Sequence, residues 1–136
     1  MTIVLDTNLI VSALTDRDPD QQQVAERLIR ESSLGNHELV VPFFVLLEIR
    51  YVLSNVYGLG DDQISMMIRA FVALPAVAVC TEVSVSRWLE LWPEVFSDPP
   101  DAALAAVAEE NGWAVGTFDR EFQRALVSIE VAVWHP

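Results

Sequence analysis

An α/β fold built on a parallel sheet, with helices on both faces, is the class this sequence predicts. Short aliphatic runs of strand length alternate with longer stretches of helical periodicity along the whole chain. The first run, Thr2-Ile3-Val4-Leu5, is apolar at successive positions, as a strand covered on both faces requires. The length of 136 residues, with 52% hydrophobic and 21% charged, fits one domain spanning 1–136 with a sizeable core.

The opening strand ends at Asp6, and Thr7 to Leu14 reads as a short helix. The polar turn Thr15 to Asp20 follows, with Asp20 placed to cap a helix from about Gln21 to Ser33 that ends before Gly35. Glu38 to Val41 is a second strand, closed by Pro42. Phe43 to Tyr57 is too long and too regularly spaced for a strand and reads as a helix stopped by Gly58 and Gly60. Asp61 or Asp62 caps a further helix through Leu74, where Ile64, Met67, Ile68, Phe71 and Val72 form an apolar stripe. Val77 to Cys80 is a third strand, and Val83 to Phe96 is helical at least to Trp92, with Pro93 breaking its end. An Ala-rich helix runs from Pro100 to Asn111 and closes at Gly112. Trp113 to Gly116 makes a fourth strand, Arg120 to Leu126 a short helix, and Ile129 to Trp134 a fifth strand.

Charge and composition narrow the function classes. No apolar run approaches the ~18 residues of a membrane span, and the first residues lack a basic region or a small-residue cleavage site, so a cytoplasmic protein without membrane contact is expected. The single cysteine, Cys80, excludes an internal disulfide and is expected to serve packing. The balance of 8 basic residues, all arginine, against 20 acidic ones leaves a net charge of −12. Such a surface repels nucleic acid on average. It suits either an acid-rich metal site with a basic protein partner, or the acidic surface that a high-salt cytoplasm favours.

Four acids stand where simple solvation does not account for them. Asp6 lies at the carboxyl tip of a strand, where open α/β sheets bind ligands. Glu48 is the only acid between Leu39 and Leu59, and its neighbours at helical spacing are Phe44, Val45, Tyr51 and Val52. A carboxylate turned into that face costs several kcal/mol unless a cation, an arginine such as Arg50 or a metal, meets it. Asp101 shares its helical face with Leu104, Ala105 and Ala108, small enough for the helix to press on the sheet. Asp119 follows the aliphatic fourth strand in Gly116-Thr117-Phe118-Asp119-Arg120-Glu121-Phe122. Asp98, before Pro99 and Pro100, reads first as an N-cap with proline at the first helical position. Four clustered carboxylates repel one another in the absence of a divalent cation, and an oxygen-only set selects Mg²⁺ or Mn²⁺ over zinc.

The order of these motifs, Leu-Asp-Thr-Asn, a lone Glu in a hydrophobic helix, Asp-x-x-Asp-Ala before an Ala-rich helix, then Gly-Thr-Phe-Asp-Arg-Glu-Phe, resembles that of the PIN-domain nucleases over the whole chain, and the compact length resembles their VapC-type toxins. The resemblance implies a three-layer fold with a five-stranded sheet in the order 3-2-1-4-5, which sets strands one and four side by side. It implies metal binding by Asp6, Glu48, Asp101 and Asp119, with Asp98 as an auxiliary acid and Asn8 and Thr117 as supporting polar residues. The implied activity is Mg²⁺-dependent endoribonuclease cleavage, held in check by a cognate antitoxin. Two departures stand out: Pro99-Pro100 favours the capping role of Asp98, and the absence of lysine thins the RNA-facing surface. Arg17, Arg50, Arg87 and Arg120 are the candidates for phosphate contacts.

Other chemistries fit less well. The only histidines, His37 and His135, fall in a loop and at the C-terminus, which argues against two-histidine RNA cleavage, and no Gly-x-Ser-x-Gly turn exists for a serine hydrolase. An aspartyl phosphatase also begins from a strand-end Asp, but wants a second acid where this chain has Asn8. A binding module without catalysis is the non-enzymatic alternative. Phe43, Phe44, Leu47, Tyr51, Met66, Met67 and Phe71 exceed what one core-facing stripe needs and point to a homodimer.

Overall fold

The computed structural model describes residues 1–136. Its elements are β1 (Thr2–Leu5), α1 (Thr7–Leu14), α2 (Pro19–Ser33), β2 (Glu38–Pro42), α3 (Phe43–Asn55), α4 (Asp61–Val72), β3 (Val77–Cys80), α5 (Val85–Leu91), α6 (Pro99–Asn111), β4 (Ala114–Gly116) and α7 (Arg120–Ser128). The sheet is wholly parallel, in the order β3-β2-β1-β4. Ile3, Val4 and Leu5 are fully buried, as are Leu39, Val41 and Val115. Because successive strand residues face opposite ways, burial of both sets means that helices cover both faces of the sheet.

The predicted fifth strand contracts to a single parallel bridge, Val115 to Val133. Ala132 and Trp134 share the two backbone hydrogen bonds to Val115, at 2.9 Å each. The segment leaves α7 through Glu130, which sits in the left-handed region at φ 62°, and pairs beside a β4 only 3 residues long, so little ladder is left to form. Its position beside β4 is nevertheless the one that the 3-2-1-4-5 order implies.

Several helix ends differ from expectation for local reasons. Asp18, not Asp20, caps α2, accepting from the Gln21 amide at 3.1 Å, because Pro19 occupies the first helical position. Gly60 precedes α4 and no side chain caps it; Asp61 instead pairs with Arg50. The helix between β3 and α6 is shorter than predicted, Val85–Leu91, starting at the Ser84 cap. Cys80 lies on β3, an edge strand, and is only partly buried. Of the large apolar residues on α3 and α4, Phe71 belongs to the core and Phe44 and Met67 pack against it, whereas Phe43, Leu47, Tyr51 and Met66 are exposed.

The sheet is closed most tightly where β1 and β4 end. Leu5 is in register with Gly116, and a Cβ at Gly116 would stand 3.1 Å from Ile3 Cγ2 and 3.3 Å from both Leu5 Cδ2 and Leu9 Cδ1. Glycine there lets the strand tips and the start of α1 approach closely. The crossovers run to opposite sides from β1, towards β2 one way and β4 the other, so the strand order reverses between β1 and β4.

Candidate active site

Asp6 follows the last residue of β1 and is 8% exposed. Its backbone amide donates to the Gly116 carbonyl at 2.9 Å, which continues the β1-β4 ladder by one step. Thr117, buried just beyond β4, donates its hydroxyl to Asp6 Oδ2 at 2.7 Å, and the Thr7 amide donates to Asp6 Oδ1 at 2.7 Å. Asn8 completes the stitching. Its amide nitrogen donates to Thr117 Oγ1 at 3.2 Å, and its carbonyl oxygen accepts from the Phe118 amide at 3.2 Å. Asn8 and Thr117 thus hold the tips of the two strands together and set the orientation of the Asp6 carboxylate.

Asp119 starts α7 and spends one oxygen, Oδ1, on the Glu121 and Phe122 amides at 2.9 and 3.1 Å. Asp98 likewise caps α6, accepting from the Asp101 amide at 3.3 Å through Oδ2. Each retains a second oxygen free of these cap contacts. Asp101 lies one turn into α6, where Leu104, Ala105 and Ala108 are buried, and it is half-buried at the edge of that contact. Glu48 meets no arginine. Its partner is the Thr7 hydroxyl, donating to Oε2 at 2.9 Å, while Arg50 is paired with Asp61 at 3.0 Å.

These side chains line one open cleft of about 710 Å³ at the reversal of strand order. It gathers Asp6, Asp18, Glu48, Asp98, Asp101, Asp119 and Glu121, together with Asn8 and Thr7, and only one basic residue, Arg17. Of the other arginines considered, Arg50 and Arg87 lie outside it and are engaged, Arg87 with Glu109 at 2.6 Å and with Glu90 at 3.0 Å. Arg120 points into a separate groove.

The electrostatics show the cost of gathering these acids. Burial pushes the Asp6 carboxyl above its ordinary 3.8, with the charges of Asp119 and Asp98 adding to the effect and the bonds from Thr117 and Thr7 opposing it. Burial likewise raises Glu48, helped by Asp6 and Asp98 and opposed by the Thr7 hydroxyl. Asp101 is pushed from 3.8 to about 8, first by burial and then by the charges of Asp6 and Asp98. No three of the acids converge on one point as a preformed cage. The fit to a cation lies in the donor chemistry: oxygen ligands only, several with a free lone pair facing one cleft, and negative charge without a matching base. A hard divalent ion suits that set.

Two tryptophans that the sequence reading passed over support the acidic loop. The Trp88 and Trp92 rings stack at 5.4 Å with an interplanar angle of 2°. Trp92 Nε1 donates to the Ser97 carbonyl at 3.2 Å and Trp88 Nε1 to the Pro99 carbonyl at 3.0 Å. The pair therefore grips the backbone on either side of Asp98. Their spacing of one helical turn was the available signal. Thr7 was missed as well, although it adjoins Asp6, because a threonine at a helix start has an ordinary structural use.

Comparison with known proteins agrees with this fold. The chain superposes on VapBC2 from Rickettsia felis, solved bound to a promoter DNA fragment, with TM-score 0.69 and 19% identity over 99% of this chain and 98% of that one. It superposes on VapC20 from Mycobacterium tuberculosis, described as a sarcin-ricin loop cleaving toxin, with TM-score 0.69 and 17% identity over 98% and 99%. FitAcB from Neisseria gonorrhoeae gives TM-score 0.66 and 18% identity over 98% and 97%. At such identities the likeness is one of fold. Among curated proteins, none matches the chain by sequence. The family model described as PIN domain, however, matches residues 3–126, which takes in every acid of the cleft, and the chain belongs to the PIN-domain family.

Proposed function

We propose that this protein is a divalent-metal-dependent endoribonuclease of the VapC toxin type, using Mg²⁺ or Mn²⁺ held by Asp6, Glu48, Asp101 and Asp119, with Asp98 as an auxiliary ligand. The observation that carries this reading is that five carboxylates from four elements line one cleft at the switch point, with a single arginine beside them. A cation held by these residues would neutralise phosphodiester charge and lower the pKa of a bound water, making hydroxide available for in-line attack and a 5′-phosphate product. The protein's own residues prepare the site. Thr117 and Asn8 hold Asp6 in place, and Thr7 holds Glu48. The helix-capping bonds of Asp119 and Asp98 engage one oxygen of each and leave the other clear of the cap. Arg17, unpaired on the cleft wall, is assigned to the substrate phosphate. The test is cleavage of single-stranded RNA with Mg²⁺. Activity absent in chelator and in Asp6→Asn, with a 5′-phosphate on the product, is the expected result; a 2′,3′-cyclic phosphate overturns the mechanism.

The same reading includes a homodimer and a basic antitoxin. Phe43, Leu47 and Tyr51 recur every four residues on one face of α3, and Tyr51 and Met66 are 63% and 71% exposed. A stripe of that kind on a stable domain suits association. The net charge of −12 and the acid-lined cleft suit a partner bearing an arginine. Among the structural relatives, VapBC2 bears a toxin–antitoxin name, which supports the pairing by analogy alone.

A further inference from the structure

We propose that the groove between α7 and the C-terminal segment is a second phosphate-binding track, which takes the single-stranded RNA flanking the cleaved bond. The groove encloses about 460 Å³ and is lined by Arg120, Gln123, Arg124, Val127, Val133 and His135. In a chain with 20 acidic residues no carboxylate lines it, and neither arginine lies within salt-bridge distance of an acid. Both guanidiniums are exposed and keep their donors free, and their planar forks match phosphate oxygens.

The groove is tied to the acidic cleft by covalent and hydrogen-bonded links. Arg120 directly follows Asp119, and Gln123 Nε2 donates to the Thr117 carbonyl at 2.8 Å, on the loop whose hydroxyl holds Asp6. Arg124 stands one helical turn beyond Arg120, roughly 6 Å along the axis, so the two guanidiniums form a line leading away from the site. The cleft itself, with Arg17 as its only base, repels a polyanion. A strand that reaches its carboxylates needs attraction from beside them, and this groove adjoins the Asp119 end. The inference rests on the nuclease reading for the identity of the polyanion.

The test uses the Asp101→Asn protein, in Mg²⁺, so that binding is read without cleavage, with a labelled oligouridine about a dozen nucleotides long as the probe. In fluorescence anisotropy, Arg120→Gln and Arg124→Gln are each expected to weaken binding about fivefold at 0.1 M salt, and each to flatten the slope of log affinity against log salt by about 0.7. Arg30→Gln, an exposed arginine of α2, is expected to change neither. Unchanged affinity and slope in the double variant, or no binding of the probe by the parent protein, overturns the track. A double variant that keeps RNA but loses poly-glutamate assigns the groove to an acidic polypeptide and also overturns it. If the slopes shift as expected while the wild-type protein leaves the same oligonucleotide intact in Mg²⁺, the track stands and the nuclease reading fails.

Discussion

Asp101→Asn separates the electrostatic cost of the acid cluster from its use. In the metal-free fold the Asp101 carboxyl is pushed from 3.8 to about 8 by burial and by Asp6 and Asp98. Between those values the native state holds a proton that the unfolded chain releases. This group's contribution is therefore fully present below about pH 4 and is lost as pH rises towards 8. A tenfold change in proton affinity is worth about 1.4 kcal/mol, so the shift has a ceiling of roughly 5–6 kcal/mol. Partial exposure, and sharing of the repulsion among neighbouring acids, bring the expected single-residue effect to about 2–3 kcal/mol. For a domain of this size that is roughly 6–12 °C in Tm. The assay is thermal unfolding in chelator across pH 5 to 8.5. The wild-type protein should lose stability over that range, and Asp101→Asn should lose much less, melting higher at pH 8. Millimolar Mg²⁺ should restore the wild-type protein at pH 8 and leave the variant nearly unchanged. Equal melting of the two proteins at pH 8 in chelator would refute the reasoning, because the repulsion assigned to Asp101 would then be absent.

Three further outcomes follow from the packing. Trp92→Phe keeps the ring but removes the donor to Ser97, and should speed hydrogen exchange at the Asp101 amide, which Asp98 caps, relative to the rest of α6; unaltered protection there removes the tryptophan pair from any positioning role. Gly116→Ala forces a Cβ to within 3.1 Å of Ile3 and 3.3 Å of Leu9, and should cost about 1–3 kcal/mol in denaturant unfolding; a neutral result means that the strand tips are looser than they stand here. Leu47→Glu puts a charge on the exposed stripe of α3 and should convert a sedimenting dimer to monomer without lowering helix content; a wild-type monomer at tens of micromolar sinks the dimer.

Much of this molecule was legible before folding because its signals are local. Runs such as Ile3-Val4-Leu5 and the 13-residue Ala-rich helix carry their own periodicity, and Gly112, at φ 67°, ends that helix as its position suggested. The acids could be singled out because each is conspicuous in its own segment: Asp6 after a strand, Glu48 alone among apolar neighbours, Asp101 on a small-residue face. What lay beyond the sequence depends on pairs distant along the chain. Glu48 met Thr7, 41 residues away, rather than an arginine, since its desolvation is relieved by whichever polar group the packing of α1 on α3 brings near. Arg50 and Arg87 appeared free for phosphate until their helices brought Asp61 and Glu109 within reach. The fifth strand read clearly as an aliphatic run, yet strand length is a property of the ladder, and a three-residue β4 offers almost none. The placement of Asp98 is of the same kind. Its cap is written in the Asp-Pro-Pro-Asp sequence, but only the tertiary structure turns the capped carboxylate to the cleft and sets two tryptophan donors on the carbonyls either side of it. Local chemistry chose the residue types and the elements; the distances that make them a site come from the parallel sheet, which carries strand ends far apart in sequence to one edge.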